Sequence, residues 1–438
     1  MPAGPSLAGH SLRMVRGGST VVVADLIGQG GQGVVHVCHL GSHRLALKWL
    51  FPGPWAERQR KSLGEMAASG RPHPAFVWPI DLVDSPEVAG FGYVMSLLEP
   101  RFGSFVSLLN GQEPTTFRTM IDIARQLVDA FAALHASGLC YRDISFGNLR
   151  VDAATGDVAI IDVDNVGLDG GVAFVKGTLR FMAPEVVRNE TLPSTATDLY
   201  SLAVFLFYLF VRGHPLEGAR AEQTYNWQHS RSETNLALRH FGFQPLFVFH
   251  PDDRSNAPLP GDPMLVWWPV YPEFFRDLFV RSFTTGLTDD TLTGRVTEGT
   301  WRRALNRLAD AVNVCGSCGA ATFWDPDAPT RACWNCGRAG TPPALLSIGG
   351  HHVVLAEGNP VTSHHLLHDR DYRTAVARVE TLDGSQGTLL LRNLTPATWS
   401  VTPAGEETKT VRPNQRLRSR PMDIDFGGQK GTIDAGGR

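Results

Sequence analysis

Residues Cys140–Leu149 read CYRDISFGNL. The stretch sets an acid, Asp143, and an amide, Asn148, behind Arg142 on a polar turn between apolar runs. A carboxylate can orient or accept a proton, and an amide oxygen can ligate a hard cation. Whether this turn does either depends on its neighbours.

Upstream, FRTMIDIARQLVDAFAALHASG has the period of a long amphipathic helix and stops at Gly138. Downstream come IIDVDNVGL, GTLRFMAPE and the apolar run Leu199–Val211, LYSLAVFLFYLFV. A membrane span needs roughly 20 apolar residues, so this shorter run reads as a buried core helix. Further helices are expected near 273–283 and 299–310. Residues 212–272, rich in Pro, His, Trp and Phe, are long for a loop and read as a partly ordered insertion with its own contacts.

Nearer the N-terminus, Val21–Leu50 reads as strand, glycine turn, strand, followed by helical periodicity over 56–69 and a strand in FGYVMSLLEP. GQGGQGVV places Gly28, Gly30 and Gly33 so that backbone N–H groups can approach a phosphate. Alone, that spacing is also a plain hairpin turn. It precedes a strand, which argues against a dinucleotide fingerprint, where glycines open a helix. Lys48, in LALK on the next strand, places an ammonium within reach of such phosphates. Glu65 on the following helix is the expected partner of that ammonium, with Glu57 on the same stretch as the alternative.

These pieces, in this order over about 20–310, closely resemble the eukaryotic-like protein kinases, whose loops read H-R-D-L-K-x-x-N, D-F-G and A-P-E. The resemblance implies an α+β bilobal fold over 18–311, with an N-lobe over 18–98 and a C-lobe over 99–311. It implies ATP and Mg²⁺ (or Mn²⁺) as cofactors and a protein hydroxyl as substrate. Asp143 would orient or accept the hydroxyl proton; Asn148 and Asp162 would hold the metal. Lys48, steadied by Glu65, would clamp the α- and β-phosphates. Gly28, Gly30, Gly33, Val35 and Ala46 would line the nucleotide site. Met95 would back the adenine pocket, and the backbone of Ser96 to Leu98 would pair with the base. Glu185 would brace Arg295, and Asp198 would tie the catalytic loop to the buried helix. Thr178 matches the threonine that supports the loop in serine/threonine kinases.

The chain departs from that pattern at Tyr141, Ser145, Val163 and Asp164. Tyr141 against Val163 would keep apolar packing in place of a histidine and a phenylalanine. Ser145 removes a lysine that touches the γ-phosphate, a loss on the order of 10²-fold or more in rate unless another cation replaces it. Asp164 reads as a solvated turn residue, with a third metal-site acid as the alternative. Residues 163–177 contain no Ser, Thr or Tyr, so the usual phosphorylated partner of Arg142 is missing from the segment. Asp169 is a candidate permanent partner. A pseudokinase scaffold or adaptor is the rival reading, motivated by Ser145 and Val163.

Of six cysteines, Cys315, Cys318, Cys333 and Cys336 form two C-x₂-C pairs, each followed by glycine. Four soft ligands on two tight turns suit a closed tetrahedral Zn²⁺ site and resemble a zinc ribbon over 312–340. Redox chemistry and a rubredoxin-like iron site are the alternatives. Cys38 and Cys140 sit on core elements as small hydrophobes. Residues 341–438 alternate apolar and polar with frequent turn residues, an all-β sandwich resembling degenerate forkhead-associated modules. Without a convincing phosphothreonine-reading pair, protein–protein contact is the expected use. His364, His365 and His368 read as an exposed polar turn, with metal binding as the alternative. A kinase with such appendages resembles the bacterial kinases of tellurite-resistance-associated phosphorylation systems. That resemblance implies a von Willebrand-type protein and a PP2C-like phosphatase as partners.

The net charge of -3 gives no global pull toward nucleic acid or anionic membrane. The N-terminal MPAGPSLAGHSLRMVRGG has no secretory-signal pattern, and a cytoplasmic location is expected.

Overall fold

The computed structural model of the chain describes residues 7–171, 177–221, 233–328, 332–381, 389–434 and 436. Six strands, β1 (Ser11–Met14), β2 (Thr20–Gln29), β3 (Gly33–Leu40), β4 (His43–Leu50), β5 (Pro79–Asp84) and β6 (Phe91–Ser96), close into an antiparallel barrel ordered β1-β2-β3-β4-β6-β5. Period-2 burial drives it: Val21 and Val23 point inward while Val22 is exposed. The first strand corrects the expected N-lobe start at 18. Leu12 and Met14 are buried, and β1 joins β2 to β5, with Arg13 opposite Asp84. Four residues are too few for a periodic signal to stand out. Helix α1 (Ala56–Ser69) packs on β5 through a face that buries Leu63 and Met66.

The helical lobe is built on α2 (Phe117–Ala136) and α3 (Thr195–Val211). Thr116 caps α2 by accepting the Thr119 N–H at 3.1 Å, and a Ser194–Thr197 capping box starts α3. Every residue of α3 from Thr197 to Val211 is buried, so the apolar run is core. No helix among the described residues is long and apolar enough to cross a membrane. A small hairpin of β7 (Leu149–Val151) and β8 (Val158–Ile160) separates the two polar loops of the site.

Beyond α3 the described part of 212–272 holds only short helical turns. It has its own polar anchor: buried Asn256 donates to the carbonyls of Leu216 and Leu246 at 2.7 and 2.6 Å. Helices α4 (Glu273–Ser282) and α5 (Glu298–Asp310) follow. The chain forms two compact units, residues 1–259 with 279–302 and residues 260–278 with 303–438. This corrects the expected boundary at 311. Tyr271 packs at a tilt against Phe323, ring centres 5.4 Å apart, and Arg307 pairs with Asp325 and Asp327 at 2.6 Å, tying the 260–278 stretch and the end of α5 to the second unit.

In that unit β9 (Val312–Val314) and β10 (Ala321–Phe323) pair across the first cysteine knuckle. The remaining strands are β11 (Leu345–Ile348), β12 (His351–Val354), β13 (Pro360–Thr362), β14 (Ala375–Thr381), β15 (Leu389–Asn393), β16 (Trp399–Pro403), β17 (Lys409–Val411), β18 (Arg416–Arg418), β19 (Met422–Asp425) and β20 (Lys430–Asp434). They make one sheet ordered β12-β11-β20-β19-β16-β17 and another ordered β13-β14-β15-β18. Leu346, Val379, Leu391, Trp399, Ile424 and Ile433 are among the residues filling the core they share. A short helix, α6 (Ser363–Leu367), follows β13.

Candidate active site

Strand register places the first wall. Val35 lies opposite Lys48 and Lys48 opposite Tyr93; one pleat along, Val37 faces Ala46 and Ala46 faces Met95. Cross-strand partners share a sheet face, so Val35, Ala46, Lys48, Tyr93 and Met95 form one surface. The turn between β2 and β3 is closed by the Gly30 N–H donating to the Gly33 carbonyl at 2.9 Å. A Cβ added at Gly28 or Gly30 would meet nothing within 4 Å, whereas one at Gly33 would lie 2.2 Å from the Trp49 carbonyl oxygen. Gly33 is therefore demanded by the fold, whereas the space beside Gly28 and Gly30 is open. Beyond Ser96 the chain leaves the sheet, with Ser96 exposed and Leu98 half-buried.

The second wall is the pair of loops flanking the β7–β8 hairpin. Thr178 Oγ1 donates to Asp143 Oδ1 at 2.9 Å. Asn148 Nδ2 donates to the Asp143 backbone oxygen at 2.8 Å and to its Oδ2 at 3.3 Å. The amide nitrogen is thus committed to the loop, and its oxygen is the atom left to ligate a cation. Asp198 holds the loop from below, accepting the Tyr141 and Arg142 N–H groups at 2.5 and 2.9 Å. Burial pulls His135 down, but Asp198 and Glu298 beside it prevail and push its pKa up to about 9, so a cation braces α2, α3 and α5 there. Arg142 and Asp162 both have positive φ, 75° and 62°, a strained conformation for residues with a Cβ, held by these contacts.

Lys48 reaches across the cleft. Its Nζ donates to Asp162 Oδ1 and, at 2.7 Å, to Asp164 Oδ1. Burial works against the ammonium, but Asp164 and Asp162 outweigh it and raise its pKa. Burial likewise works against the Asp162 carboxylate, yet adjacent Lys48 holds it below its ordinary value; burial pushes Asp164 up.

Asp164 corrects one expectation. Its side chain is 1% exposed, accepts from Tyr93 OH at 3.3 Å and lies 3.5 Å from Gln59 Nε2 on α1. Glu65 corrects another. Its carboxylate is 67% exposed and lies 3.9 Å from Lys61 on its own helix, and Lys48 is paired elsewhere. The face of α1 toward the cleft carries Gln59, and the acid Lys48 needs comes from residue 164. Tyr141 does more than fill apolar volume. Its ring packs edge-on to Phe131 at 5.7 Å, and its hydroxyl donates to the carbonyl of Ile161, directly before Asp162. The Arg142 guanidinium donates to the carbonyls of Leu168 and Gly171 at 2.8 and 3.3 Å, while Asp169 Oδ1 accepts the Thr195 N–H at 2.7 Å. Residues 172–176 of the segment lie outside the described residues. Away from the cleft, Glu185 and Arg295 form a buried ion pair, with the guanidinium 5.3 Å from the Tyr200 ring centre.

The cysteines converge as two knuckles. Gly319 N donates to Cys315 O at 2.9 Å and Gly337 N to Cys333 O at 2.8 Å, both glycines with φ near +70°. Sγ–Sγ separations are 3.8 Å for Cys315–Cys336 and for Cys318–Cys333. A tetrahedral Zn²⁺ with bonds of about 2.3 Å has sulfur–sulfur edges of about 3.8 Å, so the four thiolates fit that ion.

A two-lobed cleft with a glycine turn over one wall, a paired lysine and clustered carboxylate and amide groups defines a nucleotide-phosphate-handling fold. The model of the protein kinase domain matches residues 21–247, and the chain belongs to that family. It is similar to CBL-interacting protein kinase 3 of Oryza sativa subsp. japonica, 31% identical over 108 residues, 23% of this chain and 24% of that protein. Receptor-interacting serine/threonine-protein kinase 1 of Homo sapiens is 25% identical over 218 residues, 44% of this chain and 31% of that protein. Serine/threonine-protein kinase SCH9 of Candida albicans is 28% identical over 134 residues, 30% of this chain and 16% of that protein. The chain thus spans less than a third of the length of each of these relatives.

Proposed function

We propose that the chain is an ATP-dependent protein-serine/threonine kinase. The observation that carries this reading is the pairing of Lys48 with Asp162 and of Asn148 with Asp143 on two loops joined where the Ile161 N–H donates to the Asn148 carbonyl at 2.9 Å. Asp143, aimed by Thr178 and Asn148, accepts the proton of the attacking hydroxyl. Asn148 through its amide oxygen and Asp162 through its carboxylate, which is 39% exposed, hold Mg²⁺ or Mn²⁺. Such an ion supplies charge neutralisation at the β- and γ-phosphate oxygens. Lys48, positioned by Asp164, holds the α- and β-phosphates, and the N–H groups of the 28–33 turn close over them. Thr178 on Asp143 favours an aliphatic hydroxyl, serine or threonine, as acceptor. Labelled ATP with a generic serine/threonine substrate tests the reading: transfer must exceed that of an Asp143 variant. Equal trace incorporation in both supports the scaffold alternative.

In this reading the cation at Arg142 is met by backbone carbonyls, so activity does not wait for a phosphate on the segment. Phosphatase-treated protein is expected to match untreated protein in specific activity; a large loss on treatment overturns this.

The second unit is read as a zinc ribbon and a β-sandwich that capture substrate or partner. A protein partner of von Willebrand type and a PP2C-like phosphatase, implied by the resemblance to tellurite-associated systems, belong to this proposal, as does a cytoplasmic site of action. The ribbon has little apolar core, and structural Zn²⁺ supplies roughly 10–16 kcal/mol in comparable small folds. Replacing Cys333 and Cys336 by Ser is expected to abolish the thiolate-to-metal charge-transfer band of the Co²⁺-substituted protein and to open 312–340 to proteolysis. A ribbon equally resistant without its thiolates overturns the assignment.

A further inference from the structure

A second set of ligand-type side chains lies in the second unit, unrelated to the cysteines. Sequence reading treats His364, His365 and His368 as an exposed turn; only His368 is exposed, while His364 and His365 are buried with Asp310. Asp310 ends α5, His351 opens β12 after the Gly349–Gly350 turn, and His364 and His365 lie on α6. One ligand atom from each of Asp310, His351, His364 and His365 lies within 4.8 Å of all the others.

Hydrogen bonding sorts their roles. The Thr362 N–H donates to His365 Nδ1 at 3.0 Å, so that nitrogen carries no proton. The neutral ring then holds its proton on Nε2, which donates to Asp310 Oδ1 at 3.1 Å. His365 is thereby a support for the carboxylate and not a ligand, because coordination through Nε2 would require an imidazolate. The other carboxylate oxygen, Oδ2, is 3.6 Å from His351 Nδ1. His364 Nδ1 is 2.7 Å from Thr362 Oγ1, the contact by which a metal-bound imidazole fixes its ring, and Nε2 is then its ligand atom.

We propose that Asp310, His351 and His364 bind a divalent transition ion of the Zn²⁺ class, with His365 and Thr362 orienting the ligands. Two imidazoles and one carboxylate are a borderline donor set that suits Zn²⁺ over Mg²⁺ or Ca²⁺. With bonds of about 2.0–2.1 Å, a tetrahedral ion has ligand–ligand edges of about 3.4 Å, close to the 3.6 Å separation of His351 and Asp310. A divalent charge balances the buried carboxylate, which His365 cannot do without losing its bond from Thr362. The ligands come from three separate segments, so the ion fastens the end of α5 to β12 of one sheet and to α6, which follows β13 of the other. Three protein ligands leave a fourth position for water or an exchangeable group.

The test is metal content of the full chain after incubation with Zn²⁺ and removal of the excess. About two equivalents per chain are expected, one at the cysteines and one here. His351→Gln, at a half-exposed position that tolerates the change, should lower the count to about one; Cys333→Ser with Cys336→Ser should do the same independently. Co²⁺ bound to the doubly substituted protein should show weak visible bands without thiolate charge transfer, and His351→Gln should remove them. One equivalent that the cysteine substitutions remove, or two that His351→Gln leaves unchanged, overturns the proposal. Asp310→Asn, which keeps the shape of the side chain, is the second variant: its retention of both equivalents has the same meaning.

Discussion

Asp143→Asn is expected to lower phosphoryl transfer by about 10²–10⁴-fold while leaving the melting temperature and nucleotide affinity nearly unchanged. The asparagine oxygen can accept from Asn148 Nδ2 while its amide nitrogen donates to the Thr178 hydroxyl, which accepts as readily as it donates, so the loop geometry survives. What disappears is the proton acceptor. The hydroxyl of a serine must then lose its proton without a base, and the cost falls on kcat rather than on KM for ATP. Steady-state kinetics beside a thermal melt separate chemistry from folding. A variant that transfers phosphate within threefold of the unsubstituted chain removes Asp143 from the mechanism, and with it the main support for an enzyme over a scaffold.

Much of this site is legible because its parts are local. Lys48 follows a glycine turn on the next strand, Asp143 and Asn148 share one turn, and the cysteine knuckles announce themselves by spacing. Asp198, Thr178 and the Glu185–Arg295 pair are reached from the family pattern. The errors occur where a role depends on which way a helix or turn faces. Glu65 has the residue type and the right helix, but α1 is rotated so that Gln59 looks toward the cleft and Glu65 toward solvent. Asp164, two residues from a metal-ligand candidate in a polar turn, reads as solvated. Its burial is set by Tyr93 and Lys48, which are distant in sequence. The three-histidine cluster fails for the same reason. His351 and Asp310 come from segments remote from His364, and no spacing connects them. The strand before residue 18 is simply too short to show a period.

Asp164 carries the other large prediction, because it takes over a role the helix acid plays elsewhere in the family pattern. With Asp164→Asn, the amide oxygen still accepts from Tyr93, and the amide nitrogen meets Gln59, whose own amide can turn to present its oxygen, but Lys48 retains only Asp162 as an anionic partner here. Lys48 already donates to Asp162 Oδ1, and without Asp164 its charge rests on that carboxylate alone, the one the metal needs, so one substitution disturbs two groups. Removing one member of a buried ion pair costs about 3–5 kcal/mol. If even the lower part of that range falls on the transition state, kcat/KM for ATP drops by about 10²-fold, with KM rising and kcat falling together. A purely structural acid would show a lowered melting temperature and unaltered kinetics of the folded fraction. The sharper test is relocation of the charge. Gln59 Nε2 lies 3.5 Å from Asp164 Oδ2, so a carboxylate at residue 59 reaches the same ammonium from α1. Asp164→Gly combined with Gln59→Glu is therefore expected to recover activity to within about 10-fold of the unsubstituted chain, whereas Asp164→Gly alone is not. Recovery by the double variant shows that Lys48 requires an anion on that side and is indifferent to which element delivers it; failure of the pair, with both proteins folded and binding nucleotide, assigns Asp164 some other task.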